Sequence, residues 1–239
     1  MPRNAASGRL LIRDFGYCLN FDGATAYVDV TENANLPIFN TTGMTYAFWV
    51  KQPAVMPSNK YYFAEGNSGN INDVFGIANG APPNDKRISI FIRNHAGANL
   101  TLVVNASGDV LKPNQWQHIA LTNTNGVVKL YVDGVRVDNG EFNYTPSGSM
   151  IFNRCGYGAL LRNTVAGFFP CKMDEIIAFK RTLTDTEIQK LYSTGNFDST
   201  SLAFYHKCNE GSGTTVADSS GNSNTGAITA ATYSTDTVM

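Results

Sequence analysis

WQHIALTNTNGVVKLYVDGVRVD, residues 116 to 138, decides the fold. Ile119 and Leu121 alternate with Ala120 and Thr122. After Asn125-Gly126, Val128, Leu130 and Val132 alternate with Lys129 and Tyr131, and after Asp133-Gly134 the same period returns with Val135 and Val137. A period of two sends alternate side chains to opposite faces of a sheet, one toward a core and one away. Asn-Gly and Asp-Gly are favoured in two-residue hairpin turns because both central positions need positive φ. The stretch therefore predicts a three-stranded antiparallel meander.

Similar runs recur along the chain: CLNFDG (18–23), AYVDV (26–30), TYAFWVKQ (45–52), KYYFAEG (60–66), RISIFIRN (87–94), LTLVVNA (100–106) and KMDEIIAFKR (172–181). Turn formers separate them, a spacing that suits a sandwich or barrel. Continuous runs such as ISIFI suit strands buried on both faces. One segment, TLTDTEIQKLYSTG, reads as a helix. Thr184 and Glu187 have capping-box spacing, Ile188, Leu191 and Tyr192 form an apolar stripe, and Gly195 can end the helix in the left-handed conformation. The expectation is an all-β antiparallel sandwich with one short helix. Residues 1–16 would form an arm and 17–239 a single domain.

Composition narrows the function. Charged residues make up 15% of the 239-residue chain, against about 25% in an average soluble protein. The formal net charge is −1 and no basic cluster appears, which argues against a nucleic-acid partner. No run approaches the roughly 20 apolar residues that span a bilayer. The start, MPRNAASGRLLIRDFG, lacks the apolar core of a secretory signal, so cytoplasmic synthesis is expected. Cys18, Cys155, Cys171 and Cys208 are then expected as reduced, buried apolar groups. The sequons at Asn40, Asn99, Asn105 and Asn143 follow from an Asn/Thr-rich composition.

LNFDGATAYVDV, TGMTYAFWV, WQHIALTNTNGVVKLYVDG and KMDEIIAFKRTLTDTEIQKLY, in that order, resemble the laminin-G-like branch of the concanavalin A-like jelly rolls. The resemblance covers roughly residues 17 to 195 and implies two curved antiparallel sheets packed face to face. In the usual member, a segment like FYHKCNEGSGTTVADSSGNSNTGAI comes first; here it comes last, so the chain resembles a circularly permuted form. The strands within 200–230 then either fold beside residues 17 to 30 of their own chain or complete a neighbouring copy.

The superfamily includes glycoside hydrolases, whose paired carboxylates must share one cleft. No Glu-x-Asp-x-x-Glu pattern occurs. The adjacent Asp174 and Glu175 are expected on opposite faces of a strand. No nucleophile elbow or phosphate loop appears, and His118 reads as a packed, hydrogen-bonded imidazole. The chain is expected to be no enzyme. The resemblance does imply a structural Ca²⁺, with Asp22, Asp174 and Glu210 as its ligands. Against this, Asp22 suits a turn position and Asp174 a bond to nearby backbone amides. The loop from Asp218 to Asn224 departs from EF-hand spacing and reads as Asx-turn chemistry. Two disulfides, Cys155–Cys171 and Cys18–Cys208, stay open beside reduced thiols.

Two non-enzymatic roles follow. A structural or adhesive subunit mounted on a virion fits a leaderless, weakly charged sandwich, and permuted domains of this kind resemble those of bacteriophage surface proteins. Its partners would be other virion proteins or copies of itself in a homo-oligomer. The alternative is a glycan-binding module using the loops RNHAGAN (93–99), PPNDKR (82–87) and YGALLRNTVAGFF (157–169), with Arg93, Asn94, His95, Phe168 and Phe169 as contact residues. A host surface glycan makes the two compatible. The first is favoured on sequence, with the virion as location and the cytoplasm as alternative.

Overall fold

The computed structural model describes residues 16–30, 36, 39, 42–81, 83, 85–105 and 108–237. Residues 1–15 of the expected arm, Asn40 and part of the 82–87 loop lie outside them.

Two large antiparallel sheets carry the fold. Sheet I runs in the order β10 (Val135–Arg136), β9 (Val127–Val132), β8 (Trp116–Thr124), β3 (Met44–Lys51), β14 (Lys172–Phe179), β1 (Cys18–Asn20) and β18 (Thr232–Ser234). β1 pairs with the start of β14, and β15 (Leu202–His206) pairs with the rest of it. Sheet II runs β16 (Thr215–Val216), β17 (Gly226–Thr229), β2 (Tyr27–Asp29), β11 (Arg154–Tyr157), β4 (Tyr61–Asn67), β5 (Asn70–Asn79), β6 (Ile88–Arg93) and β7 (Asn99–Val104). A small hairpin, β12 (Leu160–Leu161) and β13 (Val165–Ala166), stands apart from both.

The meander forms as its turns dictate: Asn125, Gly126, Asp133 and Gly134 all take positive φ. Alternation then builds the core. Tyr46, Phe48, Ile119, Leu121 and Leu130 of sheet I meet Phe63, Phe75, Ile77 and Ile90 of sheet II in one buried cluster. Tyr46 and Phe63 lie with ring centroids 4.0 Å apart. Each such side chain contributes about 1.5–3 kcal/mol on burial.

Helix α1 (Asp185–Thr194) covers the other face of sheet I. Its Ile188 and Leu191 join Leu183 over Ala47, Ala120, Tyr131, Ile177 and Phe179. The capping box of Thr184 and Glu187 is present, and Gly195 ends the helix at φ 72°. His118 is buried between Trp49 and Tyr192. No helix among the described residues is long and apolar enough to cross a membrane.

Several expectations need correction. ISIFI is less evenly enclosed than expected: Ile88, Ile90 and Ile92 enter the core, and on the outer side Ser89 is buried but Phe91 only half-buried. Asp174 and Glu175 are not set on opposite faces by alternation. Asp174 pairs with Trp49 and Ile177 with Ala47, so β14 inserts one extra residue there, and Glu175 takes φ 51°. The cysteines, by contrast, match the expectation of reduced thiols: all four are free and buried. Burial pushes the Cys18 thiol up to about 12, as expected of an apolar packing group and not of a reactive one.

The closing segment folds within its own chain and enters both sheets. β15 and β18 extend sheet I, whereas β16 and β17 extend sheet II beside β2. His206 is the rivet. Its Nδ1 lies 3.0 Å from the Tyr157 hydroxyl and its Nε2 2.8 Å from the Asn224 carbonyl. The second contact requires Nε2–H as donor, leaving Nδ1 to accept from Tyr157.

Candidate functional site on the outer face of sheet II

The outer face of sheet II has its side chains thinned by glycine. A Cβ on Gly66 would stand 2.1 Å from the Leu161 carbonyl oxygen, and one on Gly156 would meet the Val28 carbonyl oxygen at 2.1 Å and the Leu161 side chain. The missing side chains let the β12–β13 hairpin lie flat on the sheet, with Leu160 against Ala64 and Val74. Tyr61 is clamped the same way: a Cβ on Gly76 would collide with its ring at 2.6 Å and one on Gly167 at 2.8 Å. The 157–169 stretch, expected as a loop, is therefore a hairpin docked on a sheet.

Beyond the hairpin the face opens over β6 and β7 and the exposed start of β5. Register places Arg93 beside Val74, and Phe91 between Gly76 and the largely exposed Leu102. The Arg93 guanidinium sits over the Phe91 ring, 5.0 Å from its centroid. Its Nε donates to the Asn72 carbonyl at 3.1 Å and its Nη2 to the Ile71 carbonyl at 3.0 Å. Arg162, from the hairpin tip, reaches the same Ile71 carbonyl with Nη1 at 2.9 Å. Two guanidinium groups thus meet on one neutral acceptor.

Among the described residues no ion pair includes Arg93 or Arg162, although Arg154, on the same face, is paired with Asp29 at 2.8 Å. Arg162 Nε is buried with no hydrogen-bond acceptor. Burial and the adjacent Arg93 charge hold Arg162 below the usual arginine range. Burial pushes the Tyr61 hydroxyl up, opposed by Arg162 and Arg93, which locates it beside both cations. Arg154 also donates from Nη1 to the Arg162 carbonyl at 2.8 Å, fixing the hairpin from below. The result is a preset patch with two aromatic rings and unspent hydrogen-bond donors.

Of the sequence-predicted contact residues, only Arg93 lies in this patch. Asn94 is buried and fastens its own turn: Oδ1 accepts the Ala98 N–H at 2.9 Å and Nδ2 donates to the Ser147 carbonyl at 3.1 Å. His95 Nδ1 lies 2.8 Å from the buried Asp73 carboxylate, which also accepts the Ile151 N–H. Phe168 leans half-buried on Tyr27, and Phe169 is fully buried, edge-on to Tyr62. Sequence reasoning missed Tyr61, Phe91 and Arg162. The signal available was the glycine at Gly66, Gly76 and Gly156, in strands where a Cβ is normally useful.

The carboxylates expected around Ca²⁺ are not brought together. Asp22 Oδ1 accepts the N–H groups of Ala24, Thr25 and Ala26 at 2.8, 2.9 and 2.9 Å. Glu210 accepts from the Ala217 N–H and the Tyr233 hydroxyl, and Asp174 from the Glu175 N–H. The pairing of Leu19 with Met173 puts Asp174 opposite Cys18, four residues or roughly 13 Å along the strand from Asp22. Among the described residues no group of three or more His, Cys, Asp or Glu side chains is arranged to hold a metal. Asp218 serves its own loop, accepting the N–H groups of Tyr205, Ser220 and Asn224.

Two other cavities are weaker candidates. One of about 260 Å³ opens between Asn20, Gln52, Lys51 and Lys172, but both lysines already bind Asp236. The other, beside Glu175, Trp49 and His118, holds about 10 Å³. Glu175 there accepts from the Tyr205 hydroxyl, and a sugar ring has no room.

A two-layer antiparallel sandwich, helix-capped on one sheet and bearing an open aromatic and cationic face on the other, defines a concanavalin A-like β-sandwich. The chain belongs to the Laminin_G_3 family, described as the Concanavalin A-like lectin/glucanases superfamily, whose model matches residues 22–189. Strands β15 to β18 fall outside that match. No curated protein sequence matches the chain. Among solved structures, it is similar to a candidate carbohydrate-binding protein from Bacteroides ovatus, with a TM-score of 0.63 and 17% identity. That likeness covers 94% of this chain but only 62% of the Bacteroides protein. The CBM40 of the Ruminococcus gnavus IT-sialidase matches with a TM-score of 0.53 and 16% identity, over 70% of this chain and 94% of that module. The same module has been solved bound to α2,3-sialyllactose. A heptameric SAP-like pentraxin from Limulus polyphemus matches with a TM-score of 0.52 and 13% identity, over 74% of this chain and 82% of its own. At such identities these likenesses establish the fold alone.

Proposed function

We propose that this chain is a non-catalytic glycan-binding module whose site is the outer face of β5, β6 and β7 with the β12–β13 tip. The observation that carries the reading is the half-buried Phe91 and Tyr61 set beside Arg93 and Arg162, cations in no ion pair among the described residues. Sugar rings bind by laying C–H faces on aromatic rings while fixed polar groups take their hydroxyls. Carbohydrate-binding proteins among the similar folds support it. The enclosed, bonded state of Glu175 supports a site without catalysis.

A glycan array followed by calorimetry tests the proposal. Phe91→Ala is expected to weaken binding of the best array member about tenfold, equivalent to about 1.4 kcal/mol. An array with no bound member, or a Phe91→Ala variant of undiminished affinity, would refute it. This reading now leads the virion-mounted subunit, with which it is compatible; sedimentation showing a closed homo-oligomer would favour the mounted form. The placement of 201–237 after the family segment supports a permuted arrangement within the same proposal.

A further inference from the structure

We infer that the Arg93–Arg162 pair is a carboxylate subsite, so that the glycan taken by this face is an acidic sugar. The inference rests on the glycan-binding reading and adds the ligand's class. Two guanidinium groups converging on one peptide carbonyl repel each other, and a structure keeps such a pair only where something offsets the cost. Elsewhere on this face the offset is visible, since Arg154 has Asp29. For Arg93 and Arg162 the described residues supply only the Ile71 and Asn72 carbonyls. Together the two side chains retain several N–H donors on their terminal nitrogens beyond those bonds. An anion bridging them would complete what the protein leaves open.

The geometry favours a carboxylate on a sugar over a free ion. Guanidinium is planar and binds carboxylates through paired N–H groups. The rings of Phe91 and Tyr61 flank the cations, so an anion held there brings an attached ring over apolar surface. Arg93 is stiffened from beneath by Phe91, and Arg162 by the Arg154 bond to its carbonyl. Little freedom is lost on binding, which strengthens each bond made.

The test compares acid-bearing glycans, uronate-terminated and 3′-sialyllactose among them, with their carboxyl-reduced counterparts and with sulfated neutral glycans, by calorimetry on the whole chain. Acid forms are expected to bind at least tenfold more tightly than reduced forms, with the preference shrinking as salt rises. Arg162→Gln, half-buried at the hairpin tip, should erase the preference, with an unchanged far-UV circular dichroism spectrum showing that the fold is kept. Arg93→Gln should do the same and also loosen the β5 start. Lys129→Gln, on the other sheet, should leave the preference intact. Equal affinity for acid and reduced forms, or a preference for sulfated glycans, would overturn the carboxylate subsite while leaving glycan binding standing. Failure of every glycan to bind would remove both readings together.

Discussion

Single atoms decide much of this molecule. Gly66 lies 2.1 Å, by its would-be Cβ, from the Leu161 carbonyl, an atom held by the docked hairpin and unable to step aside. Gly66→Ala is therefore expected to cost about 2–3 kcal/mol in urea unfolding, the scale of overpacking, and to weaken glycan binding by lifting the hairpin that carries Arg162. His206 sets a pH dependence. Burial holds its imidazole below the usual 6.5, outweighing the Asn224 carbonyl and the charges of Asp218 and Glu210. In the window below pH 6.5 the unfolded chain takes up a proton that the folded chain resists, so stability falls as pH falls through the folded pKa. Asp22, held well below its usual range by the amides of Thr25 and Ala24, acts in the same direction, but only from about pH 4 downward. The urea midpoint should thus drop between pH 7 and 5. His206→Gln should start lower and drop less; an equal drop would assign the effect elsewhere.

At the scale of elements, what the chain announces and what it conceals differ in kind. The meander of Trp116 to Arg136 was legible because its turns are local and need particular residues. The helix was legible for the same reason, through Thr184, Glu187 and Gly195. Replacing Thr184 by alanine should remove about 1 kcal/mol, read as a lower thermal midpoint, through the lost Glu187 N–H bond. β5 escaped notice because NINDVFGIAN lacks the β-branched density of a strand; its neighbours β4 and β6 hold it on both sides. The hairpin of Leu160 to Ala166 looked like a glycine-rich loop, since its partner surface is made of glycines far away in sequence. Arg93 drew attention as part of a polar turn. Arg162 did not, because its meaning comes only from an arginine 69 residues earlier meeting it on the Ile71 carbonyl. The bulge at Glu175 was invisible too, as one inserted residue leaves no compositional mark.

For the whole molecule, the closing segment does the work of an edge seal. β18 covers β1 and β17 covers β2, so both sheets depend on residues beyond Gly226. A chain ending at Asn224 should lose its cooperative melting transition and bind the hydrophobic dye ANS, because two strand edges and the core beneath Val28 would open to solvent. Retention of a sharp transition would show that the last strands are ornamental. The register between Cys18 and Ser234 also has a meaning in time. During synthesis the opening strands leave the ribosome with no partner to greet them: β2 waits for β11 and β1 for β14, and each gains its second neighbour only when nearly the entire polypeptide has followed. Such distant matching makes for folding in milliseconds to seconds, not microseconds. Meanwhile the nascent chain holds unfinished apolar strands in the open, a natural client for a chaperone until its tail arrives.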